Sequence, residues 1–256
     1  MNRVAIGAAV LGVLIAAGGA YWWHRSASQS PTAGPIARAP ATASAVAERL
    51  PPPVEHPVES APPAVPLPPL ERSDDFVRQR LAAVTAAPAL LELLPTERLA
   101  RRVVATVDGL TRDGVPLETR ALVAAPGRLV VDGGDDAWVL AAANAERYEP
   151  YLQTLEALPV ERAASLYREM YPLLQSAYEE LGYPDRYFND RMVAVIDHLL
   201  DTPAVDEPIR LARPHVLYTY ADPALERRSA GQKAMIRLGG DGARRVKAWL
   251  RAAIAS

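Results

Sequence analysis

Beyond residue 73 the apolar positions recur three and four residues apart, the spacing that lines one face of a helix. Ser73-Asp74-Asp75 supplies a capping residue and first-turn acids, and Phe76, Val77, Leu81 and Val84 follow on one face, predicting a first helix. Thr96-Glu97 opens a second, with Leu99, Val103, Val104 and Val107 inward and an end before Gly109. The helical period returns from Asn144 through Tyr148, Tyr151, Leu152, Leu155 and Leu158. It resumes from Val160 through Leu166, Met170, Leu173, Leu174, Ala177 and Leu181, with Pro172 placed to kink or end that helix. Asn189-Asp190 reads as the cap of a further helix carrying Met192, Val195, Ile196, Leu199 and Leu200 and stopped by Pro203. Two last helices are expected, one over residues 230–238 and one from the Gly239-Gly240-Asp241-Gly242 break to Ile254.

The pattern changes to short apolar runs in two places. Leu129-Val130-Val131, a Gly133-Gly134 turn and Trp138-Val139-Leu140 predict a β-hairpin, which needs a surface to pack on; the surrounding helices are the expected support. Residues 209–211 and 215–220 read as two extended segments separated by Pro214. The fold class expected is mainly α: a helical domain with a small β-hairpin and short extended segments, behind one transmembrane helix.

That helix is predicted over residues 4–23, a run without a charge that matches a hydrocarbon core about 30 Å thick. Tyr21, Trp22 and Trp23 close it with rings suited to the headgroup level, and His24 and Arg25 follow. A cleaved signal peptide is the competing reading, since Gly18 and Ala20 are small, but the run is long and ends in aromatics. Residues 26–70 hold 12 of the 24 prolines and ten alanines and have no aromatic side chain, a composition that builds no core. Three parts are therefore expected: an anchor over 1–25, a disordered Pro/Ala-rich linker over 26–70 and a mostly helical soluble domain over 71–256.

Composition narrows the chemistry. With no cysteine, disulfides, zinc thiolate sites and thiol catalysis are excluded. The body is acidic and the last thirty residues basic, where eight Lys and Arg face Asp241 alone. Phosphate-binding glycine loops and nucleophile-elbow serines are absent from the sequence, and no cofactor motif takes their place.

Three constellations remain. Tyr183, Asp185, Arg186, Tyr187 and Asn189 crowd one loop with Phe188, and flat rings beside acidic and amide groups suit a glycan or a peptide; these five are the candidate ligand-binding residues. The competing explanation is that the loop tyrosines plug a helix junction. His198, with Asp190, Asp197 and Asp201 on the same helix, offers a base for an envelope hydrolase, but at 100° per residue these positions scatter around the helix. The segment 238–246 resembles a helix–hairpin–helix that grips nucleic-acid backbone, yet Asp241 puts a negative charge where phosphate would sit.

Six segments in order carry a family resemblance: Pro66-Leu67-Pro68-Pro69-Leu70, Val104-Ala105-Thr106-Val107-Asp108, Tyr178-Glu179-Glu180-Leu181-Gly182-Tyr183-Pro184, Arg186-Tyr187-Phe188-Asn189-Asp190-Arg191, Val195-Ile196-Asp197-His198-Leu199-Leu200 and Ser229-Ala230-Gly231-Gln232-Lys233. With them the chain resembles an uncharacterised family of proteobacterial proteins that carry one N-terminal membrane helix and a domain of unknown function. The resemblance implies a single-pass bacterial inner-membrane protein with its domain in the periplasm. It brings no reaction, ligand or catalytic residue. The function expected is a membrane-tethered binding or scaffolding module of the cell envelope, with the membrane and an envelope protein or glycan as partners.

Overall fold

In the computed structural model, residues 52–58, 66–84, 89–125, 127–134 and 137–255 are described. The predicted membrane span and most of the proline-rich stretch lie outside them. Among the described residues no helix is long and apolar enough to cross a membrane.

The helices are α1 (Asp74–Val84), α2 (Ala89–Glu92), α3 (Leu99–Gly109), α4 (Ala143–Glu146), α5 (Glu149–Glu156), α6 (Val160–Glu180), α7 (Phe188–Leu200), α8 (Pro223–Glu226), α9 (Ala230–Arg237) and α10 (Gly239–Ala255). The hydrophobic stripe of α3 is the centre of the core: Leu99, Val103, Val104 and Val107 are buried, and the helix packs on both α6 and α7. Thr96 and Glu97 do not cap it. Asp74 of α1 does, its two carboxylate oxygens accepting the Arg98 and Leu99 amides at 2.7 Å each, while Arg98 takes a left-handed φ of 58°. The expected helix from Asn144 is two helices, α4 and α5, because Pro150 stands in the first turn of α5, where a missing N–H costs nothing. α6, by contrast, runs unbroken through Pro172, which is exposed, so the ring faces solvent rather than the core.

The glycine of the quoted Ser229-Ala230-Gly231-Gln232-Lys233 segment has a steric reason. A Cβ on Gly231 would sit 2.8 Å from the Leu110 carbonyl oxygen and 2.7 Å from Leu199 Cδ2, so α9 can lie this close to the end of α3 only without one. The Ala230 and Gly231 amides bond the Arg112 and Leu110 carbonyls across that contact at 2.7 and 2.9 Å.

The predicted hairpin exists as β1 (Val131–Asp132) and β2 (Trp138–Leu140), and Gly133, at φ 89°, turns where a Cβ would strike the Ala137 carbonyl. Its support is not helices alone. The two extended segments become β3 (Arg210–Ala212) and β4 (Thr219–Tyr220), giving one antiparallel sheet in the order β1-β2-β3-β4, with Trp138 opposite Leu211 and Leu211 opposite Tyr220. Ile209, Leu211 and Tyr220 bury themselves against Ile236 of α9 in a small second core.

The basic C-terminal helix is fastened to the acidic body. Arg245 donates to both carboxylates of α5, to Glu149 at 2.8 and 3.1 Å and to Glu156 at 2.7 and 2.8 Å. The guanidinium holds both carboxyls below the usual carboxylate range. A carboxyl whose pKa is depressed on folding stabilises the fold above its unfolded value, and that contribution disappears as pH falls through the folded value. Stability should therefore decline on acidification below about pH 4.3, the ordinary glutamate value. Arg245→Ala should make the decline shallower. Urea midpoints of both proteins between pH 3 and 7 check this, and parallel curves would reject the assignment.

Candidate functional site

The most informative contact in the molecule is made by a piece of the proline-rich stretch. Residues 52–58 lie against the first turn of α7, and the polar contacts there involve their main chain. The Glu55 and His56 amides donate to the two carboxylate oxygens of Asp190, at 3.2 and 2.7 Å. Asn189 Nδ2 donates to the His56 carbonyl at 2.7 Å. His56 is thus held by both its main-chain groups, and Val58, two residues on, packs on the edge of the main core. Pro57 between them has no amide to satisfy, and the chain bends at Glu55 and His56, which turns both amides toward the one carboxylate.

The clamp is pre-set from below. Asn189 is 2% exposed, and its Oδ1 accepts the buried Tyr167 hydroxyl at 2.8 Å, which aims Nδ2 at the segment. Asn189 and Asp190 do not cap α7 as the sequence pattern predicts. The helix begins at Phe188, whose amide is bonded by the Gln175 side chain of α6 at 2.8 Å, and this leaves both side chains free for the segment. Tyr171 lines the same corner. Burial pushes its hydroxyl up to about 12, with Asp190 and Tyr187 adding to the rise and the Asn189 main chain opposing it.

Of the five predicted ligand residues, Asn189 is in the clamp and Tyr187 stands beside it, half-buried. Tyr183 belongs to the architecture: its ring stacks on Tyr178 at 4.6 Å and its hydroxyl bonds Asp108 and Arg112. Arg186 gives its carbonyl to Gln175, and its side chain, like that of Asp185, is exposed. Sequence reasoning missed the roles of Asp190 and Tyr167, and missed residues 52–58 entirely. Among the described residues no group of acids and histidines is arranged to hold a metal ion.

A family model for proteins of unknown function matches residues 99–253, more than half of the chain. The chain belongs to the DUF3014 family. The matched region contains Tyr167, Asn189 and Asp190, so the clamp lies within the family domain, whereas the seated segment 52–58 lies outside it. No curated protein and no solved structure matches the chain.

Two further parts of the family domain were candidates for chemistry. His198 Nε2 lies 2.7 Å from Ser229 Oγ, a nucleophile-to-base distance, but Ser229 is 8% exposed and caps α9 by accepting the Gln232 amide at 3.2 Å. Burial lowers the His198 pKa, against the attraction of Asp201. In the C-terminal hairpin, Arg244 is paired with Asp241, Arg245 with α5, and Lys247 with the Thr202 carbonyl. Arg245 and Lys247 are tied to the protein itself, while Arg244, 74% exposed, makes a surface pair.

Proposed function

We propose that this is a membrane-tethered binding module of the cell envelope whose working surface is the Tyr167–Asn189–Asp190 clamp and whose ligand is a polypeptide segment gripped by its main chain. The observation that carries it is the double grip on His56: an amide and a carbonyl of one residue held by two adjacent side chains at the start of a buried helix. Main-chain hydrogen bonds supply affinity for a peptide whatever its side chains, and a neighbouring apolar contact supplies selection. The five-residue loop supports this reading through Asn189 and Tyr187. The membrane part rests on the uncharged run 4–23 and on the family resemblance.

The test has two arms. A Ser26→Cys variant, in a chain that has no other cysteine, should react with a membrane-impermeant thiol reagent once the outer membrane is permeabilised. In the same cells a photo-crosslinking residue at position 187 should capture a protein partner, and Asp190→Ala should abolish the capture while the domain stays folded. Labelling only after inner-membrane lysis would reverse the location. Capture unaffected by Asp190→Ala would reject the clamp.

A further inference from the structure

Resting on that reading, we infer that residues 52–58 are a built-in competitor for the clamp, and that the ligand displacing them is a peptide of the form x-Pro-aliphatic that bends at the clamp. The ligand class follows from the contacts. Position 56 is read through its amide and carbonyl, and the residue as a whole is half-buried. Position 57 follows directly after the held carbonyl, where proline fixes its own φ and leaves no unpaired amide. Position 58 places an aliphatic side chain, partly buried, against the main core. Position 55 contributes one more amide to Asp190, and its side chain is exposed. A partner meeting these requirements satisfies the same four groups and makes no demand on residues 52–54, which are exposed.

The competition follows from covalent attachment. Three hydrogen bonds and one partly buried valine make a weak site, but seven residues, 59–65, join the segment to the start of the domain at Pro66. A short connection of this kind gives an effective concentration on the order of mM. An incoming peptide must overcome that local occupancy, and its apparent affinity falls by the fraction of time the clamp is already filled. Asp190 faces the helix N-terminus of α7, where its charge is favoured, so the clamp itself is not the part that yields.

The experiment uses full-length protein, native and with residues 52–58 replaced by glycine and serine in equal number, and a fluorescent synthetic peptide with the sequence of residues 51–58 as probe. The probe should bind the replaced chain about tenfold more tightly than the native one, and Asp190→Ala in the replaced chain should remove binding. In the native chain, hydrogen exchange at the Glu55 and His56 amides should be slow and should accelerate on addition of excess probe. A probe in which the residue matching Pro57 is alanine, or that matching Val58 is serine, should lose most of its affinity. Equal affinity for both proteins, with no change in amide exchange, would overturn the competitor and leave the peptide-binding reading standing. Failure of the probe to bind the replaced chain, shown folded by an unchanged melting curve, would overturn that reading as well.

Discussion

Trp249→Ala should lower the folding free energy by about 3–5 kcal/mol, the range for removing a buried large aromatic. The indole is 8% exposed and lies on the same face of α10 as Val246, Leu250 and Ala253, all of them in the main core. Its Nε1 also donates to the Leu158 carbonyl at 3.3 Å, at the turn between α5 and α6. Truncation therefore opens a cavity and leaves a buried carbonyl without that donor, two costs that add. α10 touches α5, α6, α7 and α9, so the helix is held on several sides and cannot readily shift to fill the space. A urea titration followed by circular dichroism reads the effect. A midpoint within experimental error of the parent's would place the ring on the surface and return α10 to the basic amphipathic helix that its sequence also allows.

Asp108→Ala should cost about 1.5–3 kcal/mol, the range for hydrogen bonds to a charged group, because a buried carboxylate is removed from partners that still reach solvent. Asp108 is 6% exposed at the end of α3 and accepts Arg191 Nε at 2.8 Å, Arg112 Nη2 at 2.5 Å and the Tyr183 hydroxyl at 3.3 Å. Arg191 further donates to the Asp108 carbonyl and to Thr111, tying the start of α7 to the end of α3. Arg191 follows Asp190 directly, so the same cluster holds the clamp in place. The double variant Asp108→Ala, Arg191→Ala should be less damaging than the sum of the two single changes, as expected for residues in direct contact. Strict additivity in urea would show that the two act independently.

The sequence was most legible where burial follows a helical period. The stripes of α3, α6, α7 and α10 name most of their own buried residues, since one face of each meets the core and the other meets water, whereas Leu181, expected to close the α6 stripe, lies past its end and is 43% exposed. It was less legible where a partner comes from far along the chain. Nothing near Thr96 announces that Asp74 caps α3, and nothing near residues 209–220 announces that they extend the hairpin, because both are tertiary pairings. The candidate site shows the same divide. Tyr183 and Asn189 look alike in a loop rich in aromatics and polar groups, but one is drawn into the Asp108 cluster and the other toward residue 56. Residues 52–58 sit in a stretch whose composition reads as spacer, and no periodicity marks the seven that are seated.

The seated segment also sets a length. Under the anchor reading, residues 26–51 are all that separates the membrane from the clamp, and at about 3.1 Å per residue they reach roughly 80 Å at most. Released, the line runs on to residue 65 and its limit becomes roughly 120 Å. On the proposed function, a ligand that took the clamp would let out about 40 Å of chain, and recognition at one end of α7 would become a change in how far from the membrane the domain can work.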